Sequence, residues 1–184
     1  MDTQSRADSP LLQGFPAVAA RDARVLLLGS MPGPASLRAR RNYPHPRNAF
    51  WPIMGTLVGA APTLPYARRL ARLKSARIAL WDVFDRCERE GSLDSAIVDA
   101  TAQANDFAGF FRRHPDLTTV LFNGAKAEAA YRRLGAPLEP FGLRAIRLPS
   151  TSPANASVSL PKKMAAWREA LQAAGVAVAG PNGD

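Results

Sequence analysis

The chain has 184 residues, 47% of them apolar, which suits one globular domain with a sizeable buried core. Its 24 Lys and Arg residues outnumber 15 Asp and Glu residues. The resulting net charge of +9 favours a polyanionic partner, although an arginine-rich genome bias would give the same charge. The single cysteine, Cys87, excludes an internal disulfide, a Cys-ligated iron–sulfur cluster and the cysteine-rich zinc sites.

The sequence shows neither a membrane span nor a secretory signal. No segment approaches 18 consecutive apolar residues, and residues 1–20 lack a charged start followed by a long apolar run. We therefore expect a cytoplasmic protein. Residues 10–179 are the predicted single domain, and residues 1–9 and 180–184 are predicted to be flexible tails.

Strand-like and helix-like patterns alternate along the chain, which is typical of a parallel sheet wrapped by helices. Each strand pattern is short and apolar and is followed by Gly, Asp, Asn or Pro, where the ligand crevice of such a sheet normally forms. The predicted strands are residues 24–28, 77–81, 118–122 and 143–148. The predicted helices are residues 50–58, 66–73, 105–114, 125–134 and 161–174.

The third helix pattern carries the clearest local signals. Asn105 stands at its start as the predicted N-cap, and Pro115 follows its end. Phe107, Phe110 and Phe111 form an i, i+3, i+4 stripe, which we expect to lie in the core. The whole pattern predicts an α/β fold, a three-layer α/β/α sandwich with a central, mostly parallel four-stranded sheet.

Three motifs, in order along the chain, carry the candidate chemistry. The first is the turn Gly29-Ser30-Met31-Pro32-Gly33, whose backbone can approach a ligand closely and whose amides can donate to a carbonyl. The second is Tyr43-Pro44-His45-Pro46-Arg47-Asn48-Ala49-Phe50-Trp51, a polar cluster among prolines and aromatics. The third is Leu148-Pro149-Ser150-Thr151-Ser152-Pro153-Ala154-Asn155, an uncharged loop after the last predicted strand. Alone, the first motif would be an ordinary strand-to-helix turn.

Together these motifs resemble those of the uracil-DNA glycosylase superfamily, closest to its branch of deoxyinosine (hypoxanthine) DNA glycosylases. The resemblance runs from about residue 24 to residue 171. It implies a monofunctional DNA repair enzyme that flips a nucleotide out of the duplex. The enzyme would then hydrolyse the N-glycosidic bond of a deaminated base, hypoxanthine first and uracil or xanthine next. The implied partner is DNA containing such a base. We expect a monomer with no cofactor, no metal and no membrane contact.

Two other functions remain open. A mismatch-type uracil/thymine DNA glycosylase has a similar second motif. A catalytically silent DNA- or nucleotide-binding module is also compatible, because the first and third motifs depart from the pattern of many family members. Those members carry Asp or Asn in the first motif and His at the head of the third, whereas this chain has Met31 and Leu148. A glycosylase with these residues has to rely on Asn48 and on backbone donors. The deoxyinosine branch shares both departures, which favours the assignment to that branch.

Asn48 is the candidate catalytic residue. By the resemblance, its amide oxygen holds a water and presents it to C1′ of the sugar. A second interpretation is that Asn48 caps the helix beginning between Asn48 and Trp51, and the two roles can coexist. Ser30 is the other candidate for holding the water.

The substrate-binding candidates centre on an aromatic ring and a carboxylate. By the resemblance, Tyr43 stacks on the flipped base; otherwise it covers the sheet edge. Asp82 ends the second strand, where relatives read the base. Its carboxylate can accept from N1–H of hypoxanthine or N3–H of uracil but faces a lone pair in adenine or cytosine. Because Asp85 follows, Asp82 fits a helix N-cap equally well. The other candidates for substrate binding are Gly29, Met31, Pro32, Gly33 and His45.

The basic residues and the third motif are the candidate DNA-binding surface. Hydroxyls and amides of this loop can hold phosphates while a small side chain enters the gap left by the base. Amides of the predicted turn at Asn123-Gly124 are also available to a phosphate. Arg47 and the pair Lys162-Lys163 could instead be merely solvated. The DNA-binding candidates are Arg47, Lys126, Pro149, Ser150, Thr151, Ser152, Pro153, Lys162 and Lys163.

Overall fold

The computed structural model describes residues 10–181, so the predicted tail at residues 1–9 and the last three residues of the predicted tail at 180–184 lie outside the described residues. The strands are β1 (Leu11–Gln13), β2 (Val25–Gly29), β3 (Ile78–Asp82), β4 (Phe84–Glu88), β5 (Gln103–Ala104), β6 (Thr119–Asn123) and β7 (Arg144–Leu148). The helices are α1 (Pro34–Ala39), α2 (Phe50–Val58), α3 (Tyr66–Ser75), α4 (Phe107–Arg113), α5 (Ala125–Leu134) and α6 (Leu160–Ala173). Within residues 10–181, no helix is long and apolar enough to cross a membrane.

The central sheet has the strand order β3-β2-β6-β7, and all of its pairs are parallel. The chain runs from β2 to β3 on one side of the sheet and from β6 to β7 on the other. The strand order therefore reverses between β2 and β6. Ligands of open α/β sheets bind at the carboxyl ends of the strands at such a switch point.

Two hydrophobic cores cover the two faces of this sheet, because successive side chains of a strand point to opposite faces. Leu26 and Leu28 of β2 pack in the core that includes the phenylalanines of α4. Val25 and Leu27 pack in the other core, with aromatic residues of α2 and with Trp167 of α6. The predicted three-layer α/β/α sandwich is confirmed.

The observed strands of the central sheet agree with the predicted ones to within one residue at each end. Helices α2 and α5 have the predicted bounds. Helix α1 and a small antiparallel sheet with the order β1-β4-β5 were not predicted from the sequence. Strand β4 has the sequence FDRCE, in which charged residues occupy three of five positions and no apolar alternation is visible. The ladders with β1 and β5 make it a strand.

The predicted cap of α4 is wrong. The N-cap is Asp106, whose Oδ1 accepts from the Gly109 N–H at 2.9 Å. Asn105 turns instead toward the sheet, where its Nδ2 donates to the Asp82 carbonyl at 2.8 Å. The phenylalanine stripe behind the cap is buried as predicted.

Replacing Asp106 with alanine should lower the free energy of unfolding by about 1 kcal/mol, because the Gly109 N–H loses its acceptor. Denaturant unfolding of the variant and the wild type measures this difference. Asp106→Asn keeps a capping oxygen and serves as the matched control. An alanine variant as stable as the asparagine variant would contradict the assignment of the cap.

Candidate active site

The carboxyl ends of β2, β3 and β6 bring polar groups together around Gly29. A Cβ placed on Gly29 would lie 2.5 Å from Asp82 Oδ1 and 3.1 Å from Tyr43 Oη. Only a glycine leaves room for both side chains at this position. Asn123, at the end of β6, completes the group because its Nδ2 donates to Tyr43 Oη at 3.3 Å. Gly29, Tyr43 and Asp82, which are all predicted to bind substrate, therefore meet at the switch point of the sheet.

Asp82 is buried at this place, with 7% of its surface exposed. The interpretation of Asp82 as a helix cap is wrong, because β4 follows β3 after a single residue. Among residues 10–181, no hydrogen-bond donor reaches the Asp82 carboxyl group. Burial and the charge of Asp94 raise the pKa of this carboxyl to about 7, against the opposing effect of Arg89. Near neutral pH the group can therefore exist in either protonation state.

Tyr43 belongs to the second motif and packs against the group around Gly29. Its ring stacks on Phe50 with centroids 4.2 Å apart and planes inclined by 25°. Its backbone is left-handed, with φ of 54°. Burial raises the pKa of the Tyr43 hydroxyl above its ordinary value, so the hydroxyl is neutral. Phe50 covers one face of the Tyr43 ring, and the Tyr43 hydroxyl lies against the end of β2 at Gly29.

Asn48 lies at the start of α2 and is partly exposed. Its Oδ1 accepts from the Phe50 N–H at 3.0 Å, while Ala49 is the N-cap residue by position. The capping interpretation is therefore correct in that the side chain satisfies a backbone donor of the first turn. The second lone pair of the oxygen and both amide hydrogens have no protein partner within residues 10–181. A water could still bind to them.

His45 makes a structural contact, since its Nδ1 accepts from the Arg47 N–H at 3.1 Å. This local turn shapes the loop that presents Asn48. In the described part of the chain, no group of three or more His, Cys, Asp or Glu residues is arranged to hold a metal ion.

The third motif is joined to the rest of the site through Thr151, which is 1% exposed. Its Oγ1 accepts from Asn123 Nδ2 at 3.0 Å, and its N–H donates to Asn123 Oδ1 at 2.9 Å. Its carbonyl accepts from the Ala49 N–H at 2.9 Å. The prediction that Thr151 contacts DNA is wrong for its side chain, because the hydroxyl is used inside the protein to hold two motifs together.

Ser150 and Ser152 of the same loop are better placed for phosphate. Ser150 Oγ accepts from the Ser152 N–H, and Ser152 Oγ accepts from the Ala154 N–H, both at 3.2 Å. Each hydroxyl keeps its own hydrogen for another acceptor. Pro153 is exposed, whereas the carbonyl of Pro149 accepts from Trp167 Nε1 at 3.0 Å.

The turn at Asn123-Gly124 leads into α5 as predicted, but the Gly124 N–H is not free for a phosphate. It donates to the Phe122 and Leu148 carbonyls, both at 3.0 Å. Gly124 has φ of 95°, and a Cβ there would lie 2.9 Å from Ser150 Cβ. The glycine lets the first turn of α5 pass close to the third motif.

A cavity of about 300 Å³ opens between the starts of α2 and α6. Its lining residues are Pro46, Arg47, Asn48, Ala49, Pro52, Leu160 and Lys163. Lys163 is 5% exposed, its Nζ lies 3.5 Å from the Ser152 carbonyl, and burial lowers its pKa below the ordinary value. The interpretation of Lys163 as a solvated helix start is therefore wrong. Lys162 and Lys126 are exposed and do not line this cavity.

Two residues that contact the first motif, Arg89 and Asp94, were not predicted from the sequence. Ser30 Oγ donates to Asp94 Oδ2 at 2.7 Å, and the buried Arg89 donates through Nη2 to the Pro32 carbonyl at 2.7 Å. Both partners come from the polar segment after β4, whose charges look solvated in the sequence. Met31 is 6% exposed and packs in the α4 core. The side chain of Met31 therefore packs inside the protein, which leaves only its backbone for the predicted contact with substrate.

Three comparisons relate this chain to known proteins. The family model of the uracil DNA glycosylase superfamily matches residues 15–174, which include all three motifs. A relative named hypoxanthine DNA glycosylase from Methanosarcina barkeri is 38% identical over 161 residues, or 87% of this chain and 98% of the relative. A relative of the same name from Methanosarcina acetivorans is 41% identical over 144 residues, or 78% and 87%.

A similar solved structure is also known. It is a solution NMR structure of a candidate uracil DNA glycosylase from Methanosarcina acetivorans. It matches with a TM-score of 0.71 and 38% sequence identity, covering 89% of this chain and 99% of that chain. The similarity therefore extends over the central sheet, both helical layers and the three motifs.

Proposed function

The chain belongs to the uracil-DNA glycosylase superfamily, and from this membership we propose that it is a monofunctional DNA glycosylase that removes hypoxanthine from DNA. Uracil and xanthine are further candidate bases. The two relatives named hypoxanthine DNA glycosylase support this choice. The observation that carries it is the buried Asp82 carboxyl, which has no hydrogen-bond donor among residues 10–181 and lies at the switch point. We expect the enzyme to act as a monomer on DNA in the cytoplasm, without a metal or other cofactor.

Because the Asp82 carboxyl is unpaired, it is available to recognise a lactam, the N–H and carbonyl edge of hypoxanthine or uracil. An ionised Asp82 accepts a hydrogen bond from N1–H of hypoxanthine or N3–H of uracil. Adenine N1 and cytosine N3 carry lone pairs instead, which would face the carboxylate. A buried polar group left unpaired costs about 1–3 kcal/mol, so normal bases would be disfavoured by about ten- to a hundredfold.

Asn48 and Tyr43 supply the rest of the proposed site. The bond between C1′ and the base nitrogen breaks with its electron pair moving to the base. A water held by Asn48 bonds to C1′ and releases a proton, which neutralises the departing base through solvent. The hydrogen bond from the Phe50 N–H fixes the amide of Asn48, so the water can be oriented before the reaction. Tyr43 offers the flipped base the ring face not covered by Phe50.

The DNA backbone is proposed to lie along the third motif and the neighbouring cavity. Ser150 and Ser152 have hydroxyl hydrogens to donate to phosphate oxygens. Arg47 and Lys163 line the cavity and add positive charge beside Asn48. Lys162 and Lys126 are exposed cations that would act at longer range, subject to screening by salt.

Base release from matched duplexes tests this function. Duplexes containing one inosine, deoxyuridine, deoxyxanthosine or G·T mismatch are incubated with the enzyme in EDTA and then cleaved at abasic sites with alkali. We expect the inosine duplex to be processed fastest, with no strand cleavage before alkali. Preference for G·T would favour the mismatch-type enzyme. Binding without base release would favour the silent module and contradict the proposal.

The rate of hypoxanthine release should depend on the protonation of Asp82. Because the carboxylate is the form that accepts N1–H and its pKa is about 7, the single-turnover rate should rise by about tenfold between pH 6 and pH 8. Asp82→Asn cannot ionise and should lack this rise. A wild-type rate that is flat over this range would contradict the role of the carboxylate.

The contribution of Asp82 to stability should fall as the pH rises from about 4 to about 7, whereas the rate should rise. An aspartate in the unfolded chain titrates near pH ~4, whereas folded Asp82 holds its proton to about pH 7. The folded state thus binds more protons between these values. The stability from this group is fully present below pH ~4 and is lost as the pH rises through 7.

A further inference from the structure

Arg89 is a buried cation that the proposed chemistry has not used. It is 4% exposed, and among residues 10–181 no carboxylate forms an ion pair with it. Its Nη1 is buried and has no hydrogen-bond partner in that same range. A buried charge without a counter-ion is costly, so the presence of Arg89 here points to a function beyond stability.

The contacts of Arg89 lead to the first motif. Its Nη2 donates to the Pro32 carbonyl at 2.7 Å, and its Nε donates to the Gly91 carbonyl at 3.1 Å. A bridge between Arg89 and Ile97 folds the following segment back, and Asp94 in that segment accepts from Ser30 Oγ. The guanidinium is thus held directly behind the Pro32–Gly33 peptide.

The carbonyl of Pro32 and the N–H of Gly33 belong to one planar peptide unit and point in opposite directions. A charge-assisted hydrogen bond to the carbonyl polarises the unit and makes its N–H a stronger donor. Within residues 10–181, the Gly33 N–H donates to no protein acceptor. Gly33 is only half-buried, and a Cβ placed on it would have no atom within 4 Å. A ligand can therefore approach this residue.

The reaction proposed above needs such a donor. Negative charge collects on the carbonyl oxygen of the base as the glycosidic bond breaks, and donors aimed at that charge lower the barrier. Leu148 has no polar side chain for this purpose. The central group around Gly29 offers a carboxylate, a phenol and an amide but no cation.

We propose that Arg89 is a positioning residue for base departure, whose buried charge acts through the Pro32–Gly33 peptide to strengthen the Gly33 N–H as a donor to the carbonyl oxygen of the leaving base. This inference rests on the proposed glycosylase function. It differs from a purely structural clamp, in which Arg89 would only hold the turn in shape.

A double-mutant cycle separates these two roles. Gly33→Pro removes the N–H, and the φ of −70° at Gly33 already suits proline. Gly33→Ala keeps the N–H and shows the effect of the side chain alone. Arg89→Gln should slow single-turnover release of hypoxanthine by about 10–100-fold. This is the usual effect of removing a residue that supports a functional group from behind, as measured for the residues that hold metal ligands in place. In the Gly33→Pro background the same change should cost less than about threefold, because the donor is already missing.

Two further measurements accompany the cycle: the rate of a control variant at Arg24, and the midpoint of the pH–rate profile, which reports the charge of Arg89. Arg24 also has a buried Nε without a partner within residues 10–181, but it precedes β2 at the opposite end of the sheet, so Arg24→Gln should leave the rate unchanged. Arg89 lowers the pKa of Asp82, so Arg89→Gln should shift the midpoint of the pH–rate profile upward, whereas Arg89→Lys should not. The midpoint reports the charge of Arg89 at this place, and the cycle reports whether that charge acts through the Pro32–Gly33 peptide.

Two results would overturn the inference: an equal loss from Arg89→Gln in both backgrounds, or equal rates for Gly33→Pro and Gly33→Ala. The last comparison leaves Arg89 intact, so it can overturn the inference even if Arg89→Gln does not fold. Wild-type enzyme that releases another deaminated base in place of hypoxanthine would correct the proposed function alone. The cycle would then be measured on that base, which has the same carbonyl acceptor.

Discussion

Replacing Asn48 with alanine should slow single-turnover release of hypoxanthine by about 10²–10³-fold, the usual effect of removing one well-aimed polar group from an active site. Asn48 is the side chain expected to orient the attacking water, since Met31 packs in the core and Leu148 is apolar. Binding to inosine duplex should be nearly unchanged, because phosphate contacts are expected elsewhere. Excision under saturating enzyme and binding by fluorescence anisotropy measure the two effects.

A cap without a catalytic role predicts a different result. Losing the bond from the Phe50 N–H to Asn48 Oδ1 would lower stability by about 1 kcal/mol and leave the rate of the folded enzyme intact. Asn48→Asp keeps an acceptor for this N–H and for a water, so it should retain more activity than Asn48→Ala. Near wild-type excision by the alanine variant would contradict the proposed mechanism. Ser30, which donates to Asp94, would then be the next candidate for holding the water.

The strands of the central sheet could be predicted from the sequence because short local patterns specify them. Each buried strand is a short apolar run that ends at a turn residue, and the alternation with helices fixes parallel pairing. That prediction also placed Gly29 and Asp82 at the same edge of the sheet. The hypothesis of Asp82 as a helix cap failed because the next element is a strand with charged residues, whose pairing depends on distant β1 and β5.

Side-chain roles that depend on burial could not be predicted in the same way. Thr151 and Lys163 stand in segments of exposed character, yet tertiary contacts bury both. Arg89 follows a strand that the sequence did not reveal, and its target is a carbonyl 57 residues away in the chain. Polarity along the sequence says that such groups need partners, but only the fold decides whether a partner is water, phosphate or the protein itself.

Asp82→Ala should lower the release of hypoxanthine by about 10–100-fold, because the lactam N–H of the base would lose its acceptor in a buried place. The loss should be selective. Discrimination against adenine should weaken, since the carboxylate that faces the adenine N1 lone pair is also removed. Single-turnover rates on inosine and deoxyadenosine duplexes give this ratio directly.

Stability separates this role from a structural one. The raised pKa of Asp82 means that its ionised form is unfavourable in the fold, so the alanine variant should be at least as stable as the wild type at pH 8. Asp82→Asn serves as the matched variant, since it keeps the shape of the side chain but has amide hydrogens to offer adenine N1. It should discriminate against adenine less than the wild type does. A destabilised alanine variant with unchanged base preference would show that Asp82 supports the fold and does not read the base.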